Sequence, residues 1–215
     1  MSTDRLTIYN GALRECEERK LASLTENREP RRLLDDAWTS GRGIIAFALA
    51  AKQWRFGRRS VELTPDIAVE PAFGRTHAFA QPDDYIRTCK LCSDERMNLP
   101  FLDYEVEAGY WFADVEPLYL SYISTDGNYG GDLSLWPPAF VLWVETHLAS
   151  LIAPRLIGVD KANRLIKLAA MRLKEAASVD AMEDPTKFPP PGSFVLARRG
   201  GSRSRERGPR NRLIG

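Results

Sequence analysis

Apolar residues recur at helical spacing at both ends of this chain and at strand spacing in its middle. That change of period limits the fold more than any other feature. Near the N-terminus Leu6, Tyr9, Leu13 and Cys16 follow a 3-4-3 spacing, one face of a helix over residues 4–18 that Ser2 or Thr3 can cap. A second helix is expected to start at Pro30, because proline suits a first turn. Its apolar stripe runs through Leu34, Ala37, Trp38, Gly41, Ile45, Ala48 and Leu49. Glycine inside a helix costs about 1 kcal/mol relative to alanine, so Gly41 and Gly43 imply close backbone packing there.

Between residues 58 and 132 glycine, proline and aspartate punctuate short runs. Residues 59–64 and 75–80 read as strands, and 83–93 is ambiguous between a strand and a short helix. Residues 101–107 alternate strictly, with Leu102, Tyr104 and Val106 set against Asp103, Glu105 and Glu107, which predicts a half-buried strand. Residues 110–124 continue in strand character, with a break or an edge at Pro117. The helical period then returns. Pro137 and Pro138, with Ser134 near the cap, open a third helix lined by Phe140, Trp143, Val144, His147, Leu148 and Leu151. Pro154 should end or kink it. Asp160 should cap a fourth, buried through Ala162, Leu165, Ile166, Ala169, Leu173 and Ala176.

The expected class is α+β, mainly α: an antiparallel bundle of four helices with a β-sheet insertion between the second and third, and an extended C-terminal arm. The boundaries that follow are 1–57 and 134–184 for the bundle, 58–133 for the insertion and 185–215 for the arm. Both Trp38 and Trp143 are expected to be buried between helices, since each sits mid-stripe.

A chain of 215 residues, 44% of them hydrophobic, can bury a core without disulfides or metals. Uncharged apolar runs such as residues 43–51 are far below the roughly 20 that a membrane span needs. Residues 1–20 mix charges throughout and lack a signal-peptide centre, and three cysteines fit a reducing compartment, so a cytoplasm is the expected place of synthesis. Residues 198–215 hold seven arginines and one glutamate, net +6. The rest holds 23 Lys+Arg against 28 Asp+Glu, net −5. A concentrated basic end on an acidic body marks an interaction segment.

Candidate chemistry is sparse. Cys89 and Cys92 form a C-x-x-C, but a zinc site needs four ligands, and Cys16, His77 and His147 stand at unrelated spacings. Asp103, Glu105 and Glu107, with Asp114 and Glu116 nearby, could hydrolyse a glycan if two of them stood roughly 5–10 Å apart. The bland alternative is a solvated strand face. No phosphate-binding glycine motif is present, and His147 has no nucleophile motif beside it. The basic end reads three ways: a solubilising tail, a phosphate-contacting segment, or an arm that folds onto a protein partner. Apolar Phe194, Val195 and Leu196, directly before the arginines, favour the last, because phosphate binding has no use for them.

The order of these elements resembles the tail tubular protein A family, the head-to-tail adaptors of short-tailed bacteriophages. The resemblance spans residues 6–183 and rests on Leu6-Thr-Ile-Tyr-Asn-Gly-Ala-Leu13, Arg31-Arg-Leu-Leu-Asp-Asp-Ala-Trp38 and Trp54-Arg-Phe56 followed by Val61-Glu-Leu-Thr-Pro65. Pro82-Asp-Asp-Tyr-Ile-Arg87 and Pro137-Pro-Ala-Phe-Val-Leu-Trp143 extend it. It implies a helical bundle with a sheet insertion and no enzymatic activity, cofactor or metal. It further implies a homo-oligomeric virion ring, usually of about twelve copies, that docks under the portal protein and receives the next tail or nozzle protein. Double-stranded DNA passes through the centre during ejection. Assembly would take place in the host cytoplasm. The arginine-rich end departs from the family pattern. By analogy with other adaptors it is expected to grip the portal through Phe194, Val195, Leu196, Arg198, Arg199, Arg203, Arg205, Arg207, Arg210 and Arg212. Two other readings stand beside this one: a glycan-degrading tail enzyme using Asp103, Glu105 and Glu107, and a nucleic-acid-binding module using the arginines.

Overall fold

A computed structural model describes residues 3–41, 43–71 and 74–183. The expected arm lies outside the described residues. Helix α1 spans Arg5–Glu15, and its cap is Asp4 where Ser2 or Thr3 was expected; the Asp4 carboxylate accepts from the Thr7 N–H at 2.7 Å. Of the 3-4-3 stripe, Tyr9, Leu13 and Cys16 are buried and Leu6 partly so, and the helix also buries Ile8 and Ala12. Gly11 lets α1 press against the helix opened by Pro138: a Cβ there would stand 2.0 Å from the Glu145 carboxyl carbon.

The expected second helix is two helices. α2 covers Glu29–Thr39, with Pro30 in its first turn. It stops at Ser40, and α3 covers Ile44–Ala50. Gly41 and Gly43 take φ of +62° and +85°, the left-handed region, which a right-handed helix cannot contain. The glycines thus break the apolar stripe and redirect it. They are not close-packing points inside one rod.

Two three-stranded antiparallel sheets follow. The first orders β1 (Arg58–Leu63), β6 (Leu118–Ser124) and β3 (Tyr85–Cys92) as β1-β6-β3. The second orders β2 (His77–Ala80), β5 (Tyr110–Ala113) and β4 (Glu105–Glu107) as β2-β5-β4. The ambiguous run at 83–93 is therefore a strand. The run at 110–124 does break at Pro117, and its halves enter different sheets. The alternating segment at 101–107 is the exception. Only Glu105–Glu107 is strand, and all three residues are exposed. Leu102 is 83% exposed and Val106 56%. Tyr104 packs inward as the alternation expects, and Phe101 joins it. β4 is a short edge that turns at Ala108 and Gly109, both at positive φ, and of the face that the alternation assigned to the core only Tyr104 is packed.

β6 is a wall shared by two cores. Ile123 faces the helical core with Trp54, Phe140 and Trp143. Leu118, Leu120 and Tyr122 face a smaller core with Phe79 and Trp111. After a 3-10 turn at Leu133–Leu135, capped by Asp132, α4 runs Pro138–Leu156 with Pro137 at its cap. Ser134 is in the turn and does not cap α4, and Pro154 sits in the last turn without ending the helix before Leu156. α5 covers Val159–Met182, with Asp160 inside its first turn. It buries Ala162, Leu165, Ala169 and Ala176, while Ile166, expected in that stripe, is 54% exposed. Trp143 is buried, as expected. Trp38 is only half-buried: its ring meets Tyr9 edge-on and lies under the Arg5 guanidinium. The described fold is mixed α+β, with five α-helices among the described residues. No helix among them is long and apolar enough to cross a membrane.

Candidate functional site

The ten expected portal-binding residues, Phe194, Val195, Leu196 and the seven arginines, lie outside the described residues. The other candidates can be placed. Asp103 and Glu105 converge, joined by Asp114, on the guanidinium of Arg75, at 2.8, 3.5 and 3.0 Å. The Thr76 N–H adds a bond to Asp114 at 2.9 Å. β2 starts at His77, two residues later than the expected 75. Glu107 sits at the hairpin end of β4 and is exposed. Glu116 stands 3.8 Å from His77. Hydrogen bonding from Arg75 holds the Asp103 carboxyl below its ordinary value. The Thr76 N–H, and then Arg75, do the same for Asp114. A glycan-cleaving pair needs one carboxyl raised so that it can donate a proton. Here the placed aspartates shift the other way and their charge is met by an arginine.

Each cysteine is separate. Cys16 lies in the helical core with Sγ toward the Ala149 carbonyl at 3.7 Å, and burial pushes its thiol up to about 11. Cys89 packs on the helical core, while Cys92 is fully buried opposite Tyr119. Burial raises both thiols, so neither favours the reactive thiolate. Among the described residues no group of three or more metal-binding side chains exists.

Two sites were not evident in the sequence. The break at Gly41 and Gly43 folds α3 back so that Phe47 stacks on His147 at 4.8 Å, with the planes 11° apart. A groove of about 510 Å³ opens there, lined by Ala37, Ser40, Ile44, Phe47, His147 and Leu151. Burial depresses the imidazole below its ordinary value, favouring the neutral ring. The second site is Asp84, just before β3. Its carboxylate accepts from Arg59 and Tyr122, each at 2.9 Å, and from the Ser124 hydroxyl. Its backbone carbonyl accepts from the Thr125 N–H at 2.9 Å. Burial pushes this carboxyl up, but the Ser124, Tyr122 and Arg59 bonds outweigh it and the net shift is downward. Asp84 thus ties three strands of one sheet at one end. No sequence motif announces it, because its partners lie 25, 38 and 40 residues away.

These sites are structural or apolar in character. Comparison with protein-family models finds no match, and comparison with curated proteins finds none either.

Proposed function

We propose that the protein is a head-to-tail adaptor of a short-tailed bacteriophage: a virion protein that forms a ring under the portal and joins it to the tail. The observation that carries this reading is the ordered set of segments in which the sequence resembles the tail tubular protein A family. Those segments lie within α1, within α2, between α3 and β1, at the end of β1, at the start of β3 and at the opening of α4. On this reading the helical part is the family's antiparallel bundle. The strands form its insertion and the basic end is its portal-gripping arm. No enzymatic activity, cofactor or metal is proposed. The work is geometric: repeated contacts around a ring, an acidic body that repels DNA phosphates during ejection, and a surface for the next tail protein.

The test is a mass measurement of the protein alone and mixed with its portal. The expected result is a small species alone and a defined multimer on the portal. Deleting residues 188–215 should leave the fold intact and strip the protein from the portal. A truncated protein that binds the portal with unchanged affinity would remove the arm from this role. The net +6 of residues 198–215 supports a second reading, contact with nucleic acid. It requires salt-sensitive duplex binding that truncation after Ala197 abolishes.

A further inference from the structure

β1 is an edge strand whose outer side has no strand partner among the described residues. The other edges are short or obstructed. β4 has three residues. The Asp66 N–H bonds the Ala78 carbonyl of β2 at 2.7 Å. β3 carries register shifts and is bridged by Pro100 at Cys92, and Gln53 reaches the Thr88 carbonyl at 3.3 Å. β1 has six residues, no proline, and an unbroken register on β6.

The direction of its backbone groups follows from that register. The Ser124 N–H donates to the Gly57 carbonyl, and the antiparallel ladder alternates from there. Arg59, Val61 and Leu63 bond toward β6; Arg58, Ser60 and Glu62 point their backbone groups outward. The 3.2 Å bond between the Ser60 and Ser121 hydroxyls agrees, since non-bonded pairs bring side chains closest. The side chains of Arg58, Ser60 and Glu62 are also exposed. Among the described residues, one of these outward backbone groups is already used: the Arg58 N–H, by the Arg55 carbonyl at 3.1 Å.

We propose that β1 is a self-association edge. Two copies of the chain pair their β1 strands antiparallel about a two-fold axis at Ser60, joining two three-stranded sheets into one of six strands. In this register Arg58 stands opposite the partner's Glu62, Glu62 opposite the partner's Arg58, and Ser60 opposite itself. A shift of two residues either way loses both charge pairs, so the charges select this register. The face around the strand has the same polarity. Arg58 and Arg87 lie beside Cys89 at one end, and Glu62, Glu95 and Asp94 lie around Tyr119 at the other. Charges on an edge strand usually deter pairing. Here opposite signs sit symmetrically about the centre and attract under the two-fold. Such a contact is isologous and cannot close a ring, so it is separate from the ring contacts proposed above and stands without them.

The full chain is tested by sedimentation over roughly 5–500 µM, the range suited to a small interface. A reversible dimer is expected. Glu62→Arg alone or Arg58→Glu alone should each weaken it about tenfold or more, because both symmetric pairs become repulsive. The double swap, Arg58→Glu with Glu62→Arg, should restore it. Hydrogen exchange on the unaltered protein gives a readout that needs no variant: the Ser60 and Glu62 amides should slow as concentration rises. A monomer throughout the range overturns the proposal. So does any oligomer in which those two amides stay unprotected, or one indifferent to the single inversions.

Discussion

At the scale of single residues, the side chains that hold the sheets are those whose partners are distant in sequence. Asp84 reads as one acid among many in a polar turn. In the fold it satisfies two hydroxyls and a guanidinium at once. Removing it leaves the buried Tyr122 and Ser124 hydroxyls without their acceptor. Asp84→Ala should therefore cost about 2–4 kcal/mol in urea unfolding, and Asp84→Asn less, since the amide oxygen can still accept. A loss under about 0.5 kcal/mol would show that the hub is incidental. Trp38 and Trp143 make the complementary point. Both lie in apolar stripes, and a stripe says which face turns inward but not whether anything closes over it. Trp143 is covered by Trp54 and Phe140; Trp38 is left half open beside Arg5 and Tyr9.

At the scale of elements, α1, α4 and α5 were legible because their periods are long and uninterrupted. The glycines of the second stripe were legible only as a cost. Their positive φ depends on where the chain must go next, which one residue cannot encode. The alternation at 101–107 misled for a related reason: period 2 marks two faces, and burial of either needs a covering layer. The redirected α3 has a measurable consequence. His147 is held neutral between Phe47 and Trp143, with its affinity for protons lowered by burial. On acidification the unfolded chain takes up this proton first, near 6.5, and the folded chain only at lower pH. Stability is thus full above 6.5 and falls as pH drops below it, by up to about 1.4 kcal/mol per pH unit for this one group. His147→Phe keeps an aromatic partner for Phe47 and should flatten that part of the profile. An unchanged slope in the variant, measured by denaturant midpoints from pH 7.5 to 5, would assign it elsewhere.

At the scale of the whole described molecule, the β6 wall decides how the chain unfolds. The helical core holds Trp54, Trp136, Phe140 and Trp143, and the smaller core holds Phe79, Trp111 and Tyr122. A sheet inserted between helices could act as a second folding unit, and two separate cores would then melt apart. The register of β6 opposes that. Leu118, Leu120 and Tyr122 enter the smaller core, and Ile123, next along the strand, enters the helical core. Losing either core exposes one face of a strand that the other core also needs. Phe140→Ala and Trp111→Ala should therefore each cost about 3–5 kcal/mol. Each should shift a single transition, with tryptophan fluorescence and far-ultraviolet circular dichroism moving together. In Phe140→Ala the tryptophans report from both cores; in Trp111→Ala they report from the helical core alone, and the circular dichroism carries the sheet signal. If Trp111→Ala produced an early phase that left the helical signal intact, β6 would not couple the two cores, and the sheets would be a separable lobe on an independently stable helical layer.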